Sequence, residues 1–447
     1  MLDNLESITG AALSIQHTLD AAEQAKLRQL LGRLAGGQTL VLLGSRGREA
    51  WLWRDGLAEQ VYELPGLDGE AASDLAKEIL QRHQADHYLA DAAERPALTQ
   101  LLKLLDGHPL ALEIVLPNLS RQTPTHLLAA FTQGDDTIDA STGSAGGEVW
   151  QDKTASILRC VEYSHSNLSP GAQALLACLT PFTGVVNADW LRQYTQQLQQ
   201  QPVLANLPFD EWPTVLQEGL NWGLLTPHEV GGGYVRLQPI LPYFLRQRLH
   251  HLDEAVAGVP PSHFREAVEA AFCAHYDGIG RILAQWSTAK EPQERQTGLA
   301  LTNLEYENLM TALKWALASG QPFFGLFDPI EEYLDRTQLH QERATLGVLV
   351  LQSKNYYSEH DLKGHVGANF VIVADRLGHT YLQLNKYQLS YETYQSAIGI
   401  LESLEGVSNE WIGQEKAVIY HQLGMVAQEQ RQWETAVAHY EKALAIY

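Results

Sequence analysis

The sequence predicts a mainly α-helical protein built from several modules, with a short α/β segment near its start and an array of helical repeats at its end. The chain has 447 residues, whereas one hydrophobic core usually stops growing at roughly 250 to 300 residues. After Pro260, helical patterns follow one another with only short glycine or polar breaks, which is typical of stacked helical repeats. A Leu-Gly pair at 377–378 recurs at 423–424, so two repeats align directly.

The α/β segment is predicted from residues 21–45. Residues 21–34 carry apolar side chains near helical spacing and are followed by Gly36 and Gly37, as at a helix stop. Residues 38–45 then form a short continuous apolar run, which suits a strand buried on both faces of a parallel sheet. We therefore expect the order helix, strand, loop.

The middle of the chain is predicted to hold two modules joined by a linker. Residues 67–133 have helical patterns and indicate a small helical subdomain. Residues 134–150 are the predicted linker, because they are rich in Asp, Ser, Thr and Gly and have little to bury. Residues 151–252 predict three helices and then a glycine turn at 231–233 that leads into a strand, an order typical of a winged-helix domain.

Residues 253–360 are predicted to be a helical repeat-like region, and residues 361–447 two aligned repeats. The small residues of the repeats are expected to let paired helices approach closely, and the tyrosines to fill the groove between them. Most aromatic side chains here are expected to be buried between helices, with Trp411 the most exposed. The pattern resembles that of tetratricopeptide repeats. The aligned positions are Leu377, Gly378, Tyr394 and Ala397 in the first copy and Leu423, Gly424, Tyr440 and Ala443 in the second.

The composition limits the classes of partner. The formal net charge is −22, from 53 acidic and 31 basic side chains, so the overall field repels phosphate backbones and no nucleic acid partner is expected. Three scattered cysteines predict neither a disulfide framework nor a paired-cysteine zinc site, which suits a reducing cytoplasm. No apolar run reaches the roughly 18 residues of a membrane helix, so no membrane association is expected.

Four short motifs follow one another along the chain: Leu2-Asp3-Asn4-Leu5-Glu6, Leu42-Leu43-Gly44-Ser45-Arg46, Gly107-His108-Pro109-Leu110-Ala111 and Arg236-Leu237-Gln238-Pro239. Their order resembles that of signal-transduction ATPases with numerous domains (STAND), the class that includes NB-ARC switch proteins. The resemblance implies that residues 1–66 are the C-terminal part of an α/β P-loop nucleotide-binding domain. It also implies that ATP or ADP and Mg²⁺ are the cofactors of the complete family architecture.

The resemblance further implies roles for individual residues. Asp3 would hold the magnesium ion and Glu6 would orient water, as remnants of the acidic strand of the family. Arg46 would sense the terminal phosphate, since a guanidinium donates two parallel hydrogen bonds to phosphate oxygens. Gly107 and Pro109 would lie against the nucleotide.

The chain departs from the family pattern at several points. Gln238 stands where the family usually has a histidine that reaches the phosphate, so a strand-to-helix junction is the simpler interpretation of this nucleotide-binding candidate. Gly107 and Pro109 could equally break one helix and start the next. The sequence has no Gly-x-x-x-x-Gly-Lys-Ser/Thr loop to cradle phosphates. Nucleotide hydrolysis by this chain alone is therefore not expected.

The predicted function is that of a cytoplasmic STAND-type regulator, N-terminally truncated relative to the family, with an incomplete ATP/ADP switch. It would bind a protein partner on the concave face of its repeats and could self-associate on activation. Two alternatives stay open: an ATPase completed by missing N-terminal sequence, and a transcriptional regulator with such repeats. Residues 151–250 carry six Lys or Arg against seven Asp or Glu, which disfavours the second, because DNA recognition needs a basic face.

Overall fold

The computed structural model describes residues 2, 19, 21–35, 40–44, 67–105, 107–132, 161–238, 241–249 and 261–446. Helices dominate these residues, which confirms the prediction of a mainly α protein. The chain divides into two compact units. Unit 1 comprises Met1–Thr180, Pro208–Gly231 and Val235–His250, and unit 2 comprises Pro181–Leu207, Gly232–Tyr234 and His251–Tyr447.

Two helices of unit 1 begin at side-chain caps. Asp68 caps α2, because its carboxylate accepts the N–H groups of Glu70 and Ala71. Ser169 caps α6 in the same way, and a proline follows it at the first helical position. Numbered in chain order, these helices are α1 (Ala21–Ala35), α2 (Gly69–Arg82), α3 (Arg95–Leu104), α4 (Pro109–Val115), α5 (Pro124–Thr132), α6 (Pro170–Ala177), α8 (Trp212–Asn221) and α9 (Leu241–Leu249).

The predicted parallel strand near the N-terminus is present only as a bridge. Leu2 and Leu43 pair in parallel, with the Leu2 N–H donating to the Leu42 carbonyl over 2.8 Å and the Gly44 N–H donating to the Leu2 carbonyl over 2.7 Å. Leu40 and Leu42 are 83% and 54% exposed. The prediction that this run is buried on both faces is therefore wrong for these two side chains, because among the described residues a single bridge accompanies them.

Within unit 1, the predicted helical subdomain and the predicted winged-helix region are in direct contact. Gly223 has a φ of +69°, and a β-carbon there would lie 2.7 Å from the Glu113 carbonyl oxygen and 2.8 Å from that of Ile114. The buried amide of Asn118 donates to the Ser164 hydroxyl over 3.4 Å. The linker predicted at 134–150 lies outside the described residues, and the winged-helix assignment stays a prediction.

A short antiparallel hairpin follows α8. Strand β2 (Leu225–Pro227) pairs with β3 (Tyr234–Leu237), with Leu225 opposite Leu237 and Pro227 opposite Val235. The connecting turn contains three consecutive glycines, 231–233, all with positive φ, a conformation that glycine adopts at little cost. The predicted glycine-turned hairpin is thus confirmed.

His165 lies in the core of unit 1, where its imidazole meets the ring of Phe244 edge to face at a centroid distance of 5.1 Å. Burial lowers the pKa of His165 to about 4, because an apolar environment disfavours the charged imidazolium. The folded state therefore holds this side chain in its neutral form, and protonating it opposes folding.

The substitution His165→Phe should reduce the loss of stability at acidic pH. A lowered folded pKa stabilises the protein above the unfolded value of about 6.5, and this contribution is lost as pH falls toward 4. Between pH 7.5 and pH 5, the free energy of unfolding of the wild type should fall by about 2 kcal/mol because of this histidine. The variant should not show this loss. Urea unfolding of both proteins at the two pH values measures the difference. Equal losses would contradict the assignment.

Unit 2 is built almost entirely of helices. The first, α7 (Leu191–Gln199), follows the short strand β1 (Val185–Asn187). The remaining helices follow one another along the chain: α10 (Pro261–Ser287), α11 (Pro292–Leu304), α12 (Tyr306–Ala318), α13 (Phe324–Arg336), α14 (His340–Gln352), α15 (Glu359–Lys363), α16 (His365–Gln383), α17 (Tyr387–Ser403), α18 (Asn409–Glu429) and α19 (Trp433–Leu444).

A buried polar network attaches β1 to this series. The Glu305 carboxylate, just before α12, accepts the Tyr276 hydroxyl over 2.7 Å and the Asn308 amide over 2.8 Å. The Asn308 side chain also accepts the Thr183 N–H over 2.7 Å and donates to the Val185 carbonyl over 3.1 Å. Burial raises the pKa of Glu305. Its hydrogen bonds offset part of the cost of placing a carboxyl group in the core.

Four helix ends in unit 2 share one turn. In each, a residue with φ near +60° ends the helix, and the next N–H donates to the carbonyl five residues earlier, as in a Schellman motif. A left-handed residue reverses the chain within one step, so consecutive helices become antiparallel hairpins. The left-handed residues are Gly320, Gln338, Asn385 and Arg431, and the hydrogen bonds are Gln321 to Ala316, Leu339 to Leu334, Lys386 to Tyr381 and Gln432 to Ala427, at 2.8 to 2.9 Å.

The last two hairpins, α16–α17 and α18–α19, are held by the same glycine–tyrosine contact. A β-carbon on Gly378 would lie 2.7 Å from the ring of Tyr394, and one on Gly424 would lie even closer to the ring of Tyr440. Only a residue without a side chain lets these helices approach so closely. The predicted role is confirmed for the two glycines and for the two tyrosines that they contact.

The aromatic side chains of the repeats are less buried than predicted. Tyr394 is fully buried, whereas the others are half-buried or exposed. Trp433, not Trp411, is the most exposed of them, at 62%. The reason is positional, because Trp433 is the first residue of α19, where its side chain has fewer neighbours than one in the middle of a hairpin.

Replacing Gly378 with alanine should destabilise the chain by about 1–3 kcal/mol, because the added methyl group would overlap a fully buried ring. The control is Gly399→Ala in α17, where nothing lies within 4 Å of an added β-carbon. That change should be stabilising by about 0.5–1 kcal/mol, the helix preference of alanine over glycine. Urea unfolding measures both, and equal effects would contradict the proposed contact.

Candidate protein-interaction site

In the hairpin α13–α14 a buried ion pair takes the positions that Gly378 and Ser390 have in the hairpin α16–α17. The Arg343 guanidinium donates to Glu331 over 2.6 Å and to Asp335 over 2.6 Å. Arg343 and Glu331 are 8% and 3% exposed. Glu331 precedes the left-handed turn residue Gln338 by the same offset as Gly378 precedes Asn385. Charged side chains therefore occupy the helix–helix contact that glycine makes in the later hairpins.

A second arginine extends this ion pair to the next hairpin. Arg376, on α16, donates to Asp328 over 2.6 Å and to the second oxygen of Glu331 over 2.7 Å. Its guanidinium also lies over the ring of Phe324, 5.7 Å from the centroid, a favourable cation–π distance. Glu331 thus joins two arginines from different helices, and α13, α14 and α16 meet at one polar centre.

Two further carboxyl groups, on α16 and α18, form no salt bridge among the described residues. Burial and the nearby charge of Glu415, on α18, together raise the pKa of Asp375, on α16, to about 6, although the charges of Arg376 and Arg343 act to lower it. Burial also raises the pKa of Glu415. We call Asp328, Glu331, Asp335, Asp375 and Glu415, together with Arg343 and Arg376, the acidic cluster.

The acidic cluster has more carboxylates than its arginines can balance. Arg343 and Arg376 bond only Asp328, Glu331 and Asp335 among the described carboxylates. Asp375 and Glu415 are half-buried, where charges are weakly screened. The acidic cluster therefore has a net negative charge, which attracts cationic groups.

Arg343→Met should destabilise the chain by about 3–5 kcal/mol, because it leaves the buried Glu331 and its neighbour Asp335 short of a positive charge. The matched control is Arg336→Met, which removes an exposed partner of Glu332 on the same helix, α13. An exposed pair contributes less than about 1 kcal/mol. Thermal and urea unfolding compare the two variants. Similar small losses in both would show that the buried pair is not a stabilising centre.

The nucleotide-site residues predicted from the sequence fall in two groups. Asp3, Glu6 and Arg46 lie outside the described residues. Gly107 has a φ of +62°, its carbonyl accepts the Leu67 N–H over 2.8 Å, and an added β-carbon would overlap the Leu67 carbonyl oxygen. The local backbone therefore requires glycine at position 107. Pro109 is the first residue of α4.

Gln238 lies at a strand-to-helix junction. Its N–H donates to the Leu224 carbonyl over 3.2 Å, and its carbonyl accepts the Leu241 N–H over 2.8 Å, so its backbone connects β3 to α9. Its side chain is buried. In the part of the chain that the structure describes, no hydrogen bond joins Gln238 to Gly107 or Pro109. Their nucleotide-binding roles stay predictions.

The sequence did not indicate the acidic cluster. The Leu-Gly pairs of the two aligned copies lie in the first helix of their hairpins, whereas the Leu-Gly pair of the hairpin α13–α14, at 346–347, lies in the second helix. Its one usable signal is the charged pair Glu331 and Arg343, at the offsets where the later copies have Gly378 with Ser390 and Gly424 with Ala436. Only the shared turn geometry makes that alignment visible.

The structure offers no metal site and no membrane span within its described residues. No group of three His, Cys, Asp or Glu side chains there is placed to hold a metal ion. None of the described helices is both long and apolar enough to cross a bilayer. Neither Cys178 nor Cys273 is in a disulfide with another described residue.

Comparison with known proteins identifies a similar solved structure, a STAND protein with a tetratricopeptide repeat sensor from Pyrococcus horikoshii. The two chains are 14% identical, with a TM-score of 0.29, and the alignment covers 96% of this chain and 67% of that chain. No family model matches this chain, and no curated protein matches it.

Proposed function

We propose that this chain is a regulatory protein of the signalling kind, which binds a partner protein on the helical hairpins of unit 2. The observation that carries the proposal is the excess of carboxylates in the acidic cluster. Asp375 and Glu415 lie on neighbouring helices, α16 and α18, next to a centre whose arginines are already paired. The expected partner is a protein segment with basic side chains, because complementary charge guides association and fixes register.

The hairpins suit this task mechanically. Each one contacts its neighbours through a fixed turn and a close helix–helix contact, so side chains on successive helices keep a constant spacing. A preorganised surface loses little entropy on binding, which favours affinity for an extended partner segment. Enzymatic activity is not part of the proposal, since the sequence lacks a phosphate-binding loop.

The proposal includes a STAND-type context for residues 1–66. The parallel bridge between Leu2 and Leu43 is of the kind found in α/β sheets, which supports a relation to a nucleotide-binding domain. In a complete architecture, Asp3 and Glu6 would serve a bound magnesium ion and Arg46 the terminal phosphate of ATP. Partner binding by unit 2 would then be the input to that switch.

Hydrogen exchange on the full chain tests partner binding. A 15-residue peptide alternating Lys and Ala is the probe, and the same peptide with Glu in place of Lys is the control. The basic peptide should slow exchange most in residues 365–383 and 409–429, and raising the salt concentration should weaken the effect, since exposed charges are screened. Equal protection by both peptides, or protection confined to unit 1, would overturn the proposal.

A further inference from the structure

We propose that Glu305 keeps its proton in the folded chain at neutral pH, and that rising pH loosens the attachment of residues 183–187 to α12. Glu305 is a buried titratable group of unit 2 that the proposed partner binding does not use. Its hydrogen bonds and its lack of a neighbouring cation make the attachment of β1 sensitive to pH.

Glu305 lies in the core without a cation beside it. Its side chain is fully buried where α11 ends and α12 begins. The neutral side chains of Tyr276 and Asn308 donate to it, and among the described residues no Lys, Arg or His charge acts on its pKa. A buried carboxylate without a cation is strongly destabilising, whereas the protonated form has no charge to bury.

Both donors reach the same oxygen of Glu305. The Tyr276 hydroxyl lies 2.7 Å from Oε2 and the Asn308 amide nitrogen 2.8 Å from it. The other oxygen, Oε1, is buried and has no hydrogen-bond partner among the described residues. This asymmetry suits a protonated carboxyl group, in which the carbonyl oxygen accepts and the other oxygen carries the proton. A carboxylate would present two equivalent acceptors, and burying one of them without a donor is costly.

The titratable groups around Glu305 are uncharged at neutral pH. Tyr276 lies on α10 and Tyr234 at the start of β3, and the pKa of each is raised first by burial and then by the charge of Glu305. His275 packs against the Tyr276 ring at a centroid distance of 5.1 Å, and burial lowers its pKa to about 4. Burial raises the pKa of Glu305 above its ordinary value of 4.5.

Asn308 connects Glu305 to the segment that contains β1. Its side chain accepts the Thr183 N–H over 2.7 Å and donates to the Val185 carbonyl over 3.1 Å. Thr183 and Gly184 are exposed, whereas Glu305 and Asn308 are fully buried. Water therefore reaches Asn308 most directly past this segment. Opening the contact hydrates Glu305, which then ionises as it would in an unfolded chain.

The direction of the pH dependence follows from this difference in proton affinity. The closed contact holds the proton more tightly than the open one, because the pKa of Glu305 is raised only when the contact is closed. Above pH 4.5, opening therefore becomes about tenfold easier with each pH unit, until the pH exceeds the pKa of the closed state. A carboxyl group that stays protonated at pH 7 extends this slope to at least pH 7.

Hydrogen exchange of the Thr183 amide in the full chain tests the proposal, because this N–H donates to Asn308. Its protection factor, corrected for the intrinsic exchange rate, should fall by about thirtyfold between pH 5.5 and pH 7. Glu305→Gln, which is uncharged at every pH, should match the wild type at pH 5.5 and show no such fall. The matched control is Glu307→Gln, at an exposed position of the same helix turn, which should behave like the wild type.

Three results of the exchange experiment would overturn the proposal. A protection factor of the wild type that is constant over this pH range would show that Glu305 is already ionised in the closed contact. Loss of protection in Glu305→Gln at pH 5.5 would show that the contact needs an anion. An unchanged pH dependence in Glu305→Gln would assign the effect to another group.

Infrared spectroscopy gives a second measurement that does not need Glu305→Gln to fold. The wild type at pH 7 should show the C=O stretch of a protonated carboxyl group. Tyr276→Phe should move this band to higher frequency, because it removes a hydrogen bond to the carbonyl oxygen. A spectrum without the band, or a band that Tyr276→Phe leaves in place, would contradict protonation of Glu305.

Discussion

The close approach of paired helices is the constraint on which unit 2 depends. At Gly378 and Gly424 there is no room for a side chain, because a tyrosine ring from the second helix of the hairpin fills that space. The left-handed turn that ends each first helix fixes where the second helix begins, so Gly378 meets Tyr394 and Gly424 meets Tyr440 at the same offsets from the turn. Turn and contact act together, and neither would specify the hairpin alone.

In the hairpin α13–α14 a buried ion pair lies between the two helices. Glu331 bonds Arg343 there, and Arg376 on α16 bonds the same carboxylate. Buried ions are destabilising unless each has a partner of opposite charge. These ion pairs therefore connect α13, α14 and α16. Both arginines form their salt bridges with Asp328, Glu331 and Asp335, and among the described residues Asp375 and Glu415 form none. The proposed interaction with basic side chains follows from this excess of carboxylates.

In unit 1, residues that resemble a nucleotide-binding family have local structural roles as well. Gly107 is required by the backbone of Leu67, Pro109 begins α4, and Gln238 connects β3 to α9. For Gly107 and Pro109 these roles account for the residue type without a ligand. The acidic cluster differs, because the Oδ1 of its Asp375 is buried and has no hydrogen-bond partner among the described residues.

The sequence by itself determined the features that depend on local periodicity and backbone freedom. Helical spacing predicted a mainly α chain, the glycine run at 231–233 predicted the hairpin of β2 and β3, and the Leu-Gly pairs predicted the two last hairpins. Only the tertiary structure decided which distant charges meet and which apolar residues are covered. Glu331 meets Arg376, and Leu40 and Leu42 are exposed despite their apolar run. Burial and ion pairing depend on the neighbours that folding brings together, and local sequence does not specify those neighbours.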